Sequence, residues 1–507
     1  MRTRPAVLVF FVVFALLAIL QGSRFLLTND EGIMLEPAQR VASGAHPYVD
    51  FFGYMSPGSY WIQAAWFKAL GVSLWAGRVP VIVDFALQCA LLFWLTAWLA
   101  SRRAALAVVI IFTGFQIADP TFLTAQHRWD SGTLALAGIC LAIRFPSKPG
   151  LLASGALLAA ASWCTPSMGL TAAVLAVWLL WASDRRPLLA AFLAGMAVVT
   201  AAAAAALAWQ GSFTAFFQQM LWLQRNYATV NIMPYGSVIG GYARLIEDTA
   251  GLERVLRIIF VGCLALPAVL PPLALFLWLM PGVSRKVPAE LRPIVPLLLM
   301  TTVTLELSAF PRADLFHLAF VAAIPYALVA AGLARWLTLR AGAILAFTFI
   351  PLALLFSLNN FIGAWDVRPV ASPVGRLRVA SNVAPELSKL LEHIRPGQSL
   401  FVYPYMPVLY FVTQANNPSR FSFMNPGMMT ADDESKVLAD LRAHPPEWLL
   451  NLPLSKEEFL RIFPNANGVS ERFETLEQWL AHNYVPVEQA PVNLNGYQLW
   501  HILKKGG

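Results

Sequence analysis

Charge is the scarcest thing in this sequence. Asp, Glu, Lys and Arg make up 13% of its 507 residues, against 58% hydrophobic residues and a mean hydropathy of +0.60. Soluble domains carry roughly 25% charged residues, so an ordinary soluble enzyme is excluded. Cysteine is scarce too. Cys89, Cys140, Cys164 and Cys263 all lie in apolar stretches, with neither metal-ligand spacing nor a disulfide framework. They read as small buried side chains. Also missing are a repeat between the two halves and a row of mid-span charges, which weakens the case for a transporter.

What is present is apolar length. Runs of about 17–25 residues, enough to cross a bilayer as helix, recur along the first 365 positions. The reading is a polytopic α-helical membrane protein. The first run, Ala6–Leu20 behind Arg2 and Arg4, has the shape of a signal peptide. Gln21-Gly22-Ser23-Arg24 is a poor cleavage sequence, however, and apolar character resumes at Phe25, so it is taken as an uncleaved span. The formal charge of +8 invites a nucleic-acid partner until it is split. From Trp365 onward 13 basic residues meet 14 acidic ones, which leaves 23 basic against 14 acidic before it. Short Arg- and Lys-rich cytosolic loops account for that excess. Nucleic acid is not implied.

With the N-terminus in the cytosol, the pattern predicts about eleven spans and a C-terminus outside. Spans at about 6–27, 76–100, 104–118 and 131–145 are followed by two short apolar halves joined by "WCTPSMG" and broken at Pro166. Others follow at about 188–209, 254–280 and 294–310, then one starting near Ala313 and one ending near Asn360. The first outer loop, 28–75, should hold helices along the interface at about 31–43 and 58–70. Every loop placed in the cytosol has at least two Lys or Arg, whereas about eleven carboxylates fall outside and two, Asp184 and Glu290, inside. Carboxylates contribute little to topology, so their gathering on one face wants another cause.

Residues 366–507 are a different material, predicted as a soluble extracytoplasmic α/β domain behind the membrane domain 1–365. "QSLFVYPY" and "GYQLWHIL" read as strands, and "ADDESKVLADLRAHPPEWLLNL" as a capped helix followed by a strand. "SKEEFLRIF" and "ETLEQWLAHNY" are amphipathic, and strands separated by helices suggest an α/β arrangement. Tyr403, Tyr405, Tyr410, Phe421 and Phe423 suit either sugar stacking or a core.

Three places on the outer side concentrate ionisable groups. The opening loop has Asp30-Glu31 at the membrane surface, then Glu36, and Tyr48 and Asp50 in "HPYVDFF". "AQHRWDSG" puts His127, Arg128 and Asp130 at the mouth of the fourth span. "FPRADLFHL" places Asp314 and His317 on one helix face, with Arg312 beside them. Each has a plainer reading. Arg128 pairs with Asp130, Arg312 anchors the interface, and Asp314 caps a helix against His317. Together, at span ends that can converge, they point to a wet site, because facing lipid is costly.

The Asp30-Glu31 pair after the first span carries a resemblance. So do Ala38, Arg40, Gly44, Pro47, Tyr48, Asp50, Phe51 and Phe52, and "SPGSYW" with "FKALGVSLWAGR" beyond them. This stretch resembles the GT-C superfamily of membrane glycosyltransferases, in the branch of the protein O-mannosyltransferases and the lipid A aminoarabinose transferases. Motif similarity is confined to about residues 28–80, with "PRADLFHL" as a weaker patch. The resemblance implies a sugar donor on a polyprenyl phosphate and a catalytic carboxylate in the first outer loop, Asp30 first and Glu31 second. Relatives often have Lys-Pro where this chain has Ser56-Pro57. A phosphate contact must then come from Arg128, Arg312 or His317, among which the sequence does not choose.

The chemistry agrees with that. Glycosyl transfer passes through an oxocarbenium-like state. A phosphate leaving group needs no protonating acid. It needs cations or a metal to absorb charge and one carboxylate to take the acceptor's proton. The carboxylate pair also offers oxygens to Mg²⁺ or Mn²⁺. The expected function is therefore transfer from a lipid-linked donor to a lipid, glycan or protein hydroxyl on the outer face of the cytoplasmic membrane. A polysaccharide polymerase or ligase, and a transporter, are the rival readings.

Overall fold

In a computed structural model the described residues are 4–53, 55–181, 183–238, 246–452, 455–462, 472–487, 493–494 and 497–503. Part of the expected outer segment before the eighth span (239–245) and the last residue of "SKEEFLRIF" lie outside them.

The membrane part is built from helices with locally encoded ends. Ser73, Ser101 and Ser147 each cap a helix (Leu74–Leu99, Arg102–Gln116, Lys148–Cys164), their hydroxyls accepting from the amides of Ala76, Ala104 and Gly150. The opening loop forms two helices, Asn29–Ala42 and Pro57–Leu70. The first has Asp30 and Glu31 in its first turn, where carboxylates suit the helix dipole. The second begins at a proline that is harmless at that position. Leu74–Leu99 runs through the middle of the bundle, packed on Arg4–Gln21, Arg102–Gln116, His127–Arg144 and Ala323–Trp336. Its Gln88 donates to Thr133 Oγ1 at 3.1 Å and to the Phe320 carbonyl at 3.3 Å.

Among the described residues four helices are long and apolar enough to cross a bilayer: Arg4–Gln21, Leu74–Leu99, Arg186–Trp209 and Leu339–Trp365. The expected span at 254–280 is instead two helices, Gly251–Leu264 and Leu266–Leu279, bent by 57°. Pro267 opens the second helix and cannot continue the hydrogen bonding of the first. The span expected from near Ala313 starts with a separate short helix, Leu315–Ala319, before Ala323–Trp336. The last helix runs on to Trp365 rather than ending near Asn360.

Beyond Trp365 strands appear. β2 (Val367–Ser372) and β3 (Gly375–Ala380) form an antiparallel hairpin, and β3 pairs in parallel with β1 (Arg24–Phe25) behind the first helix. The first and last helices of the membrane part are thus joined at one small sheet that helical periodicity did not announce. The second sheet uses the expected strands. β4 (Leu400–Tyr403) lies parallel to β5 (Trp448–Asn451). β8 (Tyr497–Ile502) takes β5 on one edge and β6 (Tyr484–Pro486) and β7 (Asn493–Leu494) on the other. Thr430 and Asp433 make a reciprocal capping box on the helix Ala431–Ala443. Tyr403, Tyr410, Phe421 and Phe423 are core residues, each at most 3% exposed.

This C-terminal part sits directly on the opening loop. Gly32 meets the start of the helix Val408–Thr413 so closely that a Cβ would overlap the Val408 amide nitrogen. Gln39 and Gln414 exchange amide hydrogen bonds at 2.8 and 2.9 Å. Phe52 stacks on Phe421, and Phe67 on Phe411.

Candidate active site

The four opening-loop carboxylates have four different surroundings. Asp50 accepts from the His46 amide at 2.6 Å and holds a surface turn. Tyr48, with a left-handed φ of 69°, is buried and donates to the Met55 carbonyl at 2.7 Å. Both shape the loop and neither is drawn into the cluster described below. Glu36 pairs with Arg40 one helical turn on and accepts from Ser422 Oγ of the C-terminal part.

Glu31, expected as the second catalytic candidate, is fully buried in an ion pair with Arg78. Its Oε2 accepts from Arg78 Nη2 at 2.7 Å, and its Oε1 accepts from Arg78 Nε and from the Ala125 amide. Arg78 also donates to the Leu123 carbonyl. Both Glu31 oxygens are thus held by Arg78. Among the described residues no group of three or more His, Cys, Asp or Glu converges on a metal seat. Arg78 itself was missed. Its signal is an arginine near the start of an apolar helix, which has to find a partner.

Asp30 is exposed, and Tyr405 of the C-terminal part donates to its Oδ1 at 3.3 Å. Burial first, then the charge of Asp30, push the Tyr405 hydroxyl well above its ordinary pKa, so the phenol stays a donor. Tyr227, from the segment before the bent helix pair, stands in the same electrostatic neighbourhood. Burial raises its pKa, and Arg312 and Arg128 oppose that shift.

The second and third clusters converge with this one. Arg312 lies within electrostatic range of Asp30, Asp314 and Tyr227. Its Nε donates to Asp314 and its Nη1 to Asn231, both at 3.3 Å. Asp314 accepts from the His317 amide at 3.1 Å and from the His317 ring at 2.8 Å, so it caps the short helix and orients the imidazole. Arg128 does not pair with Asp130. It donates to the Ser308 carbonyl at 3.0 Å and to that of Ala309 at 3.5 Å, beyond the helix Ile294–Leu307. His317 and His127 are both within electrostatic range of Arg128, and His127 Nδ1 meets Thr165 Oγ1 at 2.8 Å.

Asp130 turns the other way, into the bundle, where its carboxyl lies at hydrogen-bond distance from that of Asp84. Asp84 belongs to the helix Leu74–Leu99. The cluster is therefore Asp30, Tyr405, Tyr227, Arg312, Asp314, His317 and Arg128. Asp50, Tyr48 and Asp130 stand apart from it.

Fold and site together define a class: a multi-pass helical membrane protein with a C-terminal mixed α/β region and an opening loop that presents a carboxylate. Over nearly its whole length the chain is similar to ArnT from Cupriavidus metallidurans bound to undecaprenyl phosphate, with 15% identity, 99% of this chain and 98% of that one covered, and a TM-score of 0.55. The apo state of the same protein matches at 13% identity, 97% of each chain and a TM-score of 0.53. The Archaeoglobus fulgidus oligosaccharyltransferase tethered with an acceptor peptide follows at 11% identity, 98% of this chain, 74% of that one and a TM-score of 0.49. At these identities the likeness to ArnT is one of fold. No family model and no curated protein matches the sequence.

Proposed function

We propose that the protein transfers a sugar from a polyprenyl-phosphate donor to an acceptor hydroxyl at the outer face of the cytoplasmic membrane, with Asp30 as general base. The observation that carries this reading is the convergence of exposed Asp30 with Arg312, His317 and Arg128. In the reaction the bond from the anomeric carbon to the phosphate oxygen breaks, and the electron pair leaves with the phosphate. The acceptor oxygen bonds to the anomeric carbon, and its proton passes to Asp30. Arg312, partly exposed and facing Asp30, is the first choice for the phosphate. Its planar donor fork suits a phosphate better than a point charge does. Behind it Arg128, committed to two carbonyls, adds positive charge, and His317, held by Asp314, adds a polar ring. A lipid-linked donor also suits a site at the bilayer surface, where the isoprenoid tail stays in hydrocarbon.

The test is label transfer from a panel of radiolabelled polyprenyl-phosphate sugars, with membrane extract as acceptor, using purified protein. Wild type should transfer label from one donor. Asp30→Asn should lose on the order of 10²–10⁴-fold in rate, the usual worth of a positioned base, with an unchanged melting temperature. Arg312→Ala should lose rate and weaken donor binding. No transfer from any donor by folded wild type would overturn the reading in favour of polymerisation or transport.

A further inference from the structure

We propose that Tyr405 of the C-terminal part is a positioning residue for Asp30, so that the membrane site is complete only when that part is docked on the first-loop helix. This rests on the glycosyl-transfer reading above. The Tyr405 hydroxyl reaches Asp30 Oδ1 across 375 residues of chain. The donor is held from two sides: its own amide donates to the Tyr497 hydroxyl at 3.2 Å, and its ring stands edge-on to Phe423 at 5.5 Å. A phenol so fixed is not a swinging gate.

The docking that brings it there is equally specific. Two residues after Asp30, Gly32 lets the backbone of the first-loop helix touch that of Pro407 and Val408, and any side chain at Gly32 would force the two apart. The Gln39–Gln414 pair continues the contact along the helix, and the hydrogen bond from Arg420 to the Tyr48 carbonyl extends it into the loop beyond.

The chemical consequence follows from the two oxygens of a carboxylate. A donor fixed on Oδ1 sets the rotamer and leaves Oδ2 to accept the acceptor's proton. The soluble part thereby has a part in the reaction as well as in the fold.

The experiment compares wild type, Tyr405→Phe and Gly32→Ala as full-length purified protein, with kcat and KM for transfer measured and melting followed in parallel. Tyr405→Phe should lower kcat about tenfold, the usual worth of a hydrogen bond to a charged group, with donor and acceptor KM and the melting temperature unchanged. Gly32→Ala keeps the phenol but moves it off, and should lower kcat in the same way. A Tyr405→Phe enzyme with wild-type kcat overturns the inference and leaves glycosyl transfer standing. So does a fall in kcat that comes with a raised KM or a lowered melting temperature, which marks a structural role. If Tyr405→Phe does not fold, kcat and KM of Gly32→Ala decide in the same way. Inactive wild type overturns the transfer reading first, and this inference with it.

Discussion

Asp30 and Glu31 are neighbours of nearly the same chemistry, yet one is exposed and the other sealed against Arg78. Removing one partner of a buried pair strands the other charge, at about 3–5 kcal/mol. Arg78→Ala should therefore melt far below wild type, by a detergent thermal-shift assay. The double change Glu31→Gln with Arg78→Met should recover much of that loss, because no bare charge remains. Asp30→Asn should leave the melting temperature where it is, since Asp30 is open to water. The doublet could be read from the chain, but not which member was open. That depends on an arginine 47 positions away and a tyrosine in another layer of the fold.

At the scale of elements, most helices were legible because their signals are local: apolar length, a serine before the first turn, a proline where helix must stop. What local signals missed was how closely helices approach. Gly155 and Gly195 face each other across Lys148–Cys164 and Arg186–Trp209, and a Cβ on either would overlap a backbone carbonyl of the partner, Phe192 or Leu152. Small residues permit such packing within a membrane, where the hydrophobic effect does not drive helices together. Gly195→Leu should thus lower stability by about 1–3 kcal/mol through overpacking, seen as early melting and a reduced folded yield. The hairpin β2–β3 was missed for a related reason. Its partner is β1, a two-residue strand too short to have a periodicity of its own.

For the whole molecule, the expected orientation has the N-terminus in the cytosol and the C-terminal part outside. Every native cysteine is buried, so a membrane-impermeant maleimide should leave wild type unlabelled in intact cells. Asn382→Cys, exposed in the C-terminal part, should label from outside, whereas Arg285→Cys should label only after permeabilisation. The reverse pattern would invert the topology and remove the outer-face site.

The sequence by itself determined the membrane character, the approximate element boundaries and the crowding of carboxylates after the first helix. These are properties of composition and short-range pattern, which the chain carries wherever it goes. Only the tertiary structure decided what those carboxylates do. Glu31 is neutralised by Arg78, Glu36 clasps Ser422, Asp50 holds a turn, and Asp30 alone of the four meets Tyr405 beside Arg312. Electrostatic surroundings are set by distances through space, and those exist only once the C-terminal part has closed over the opening loop.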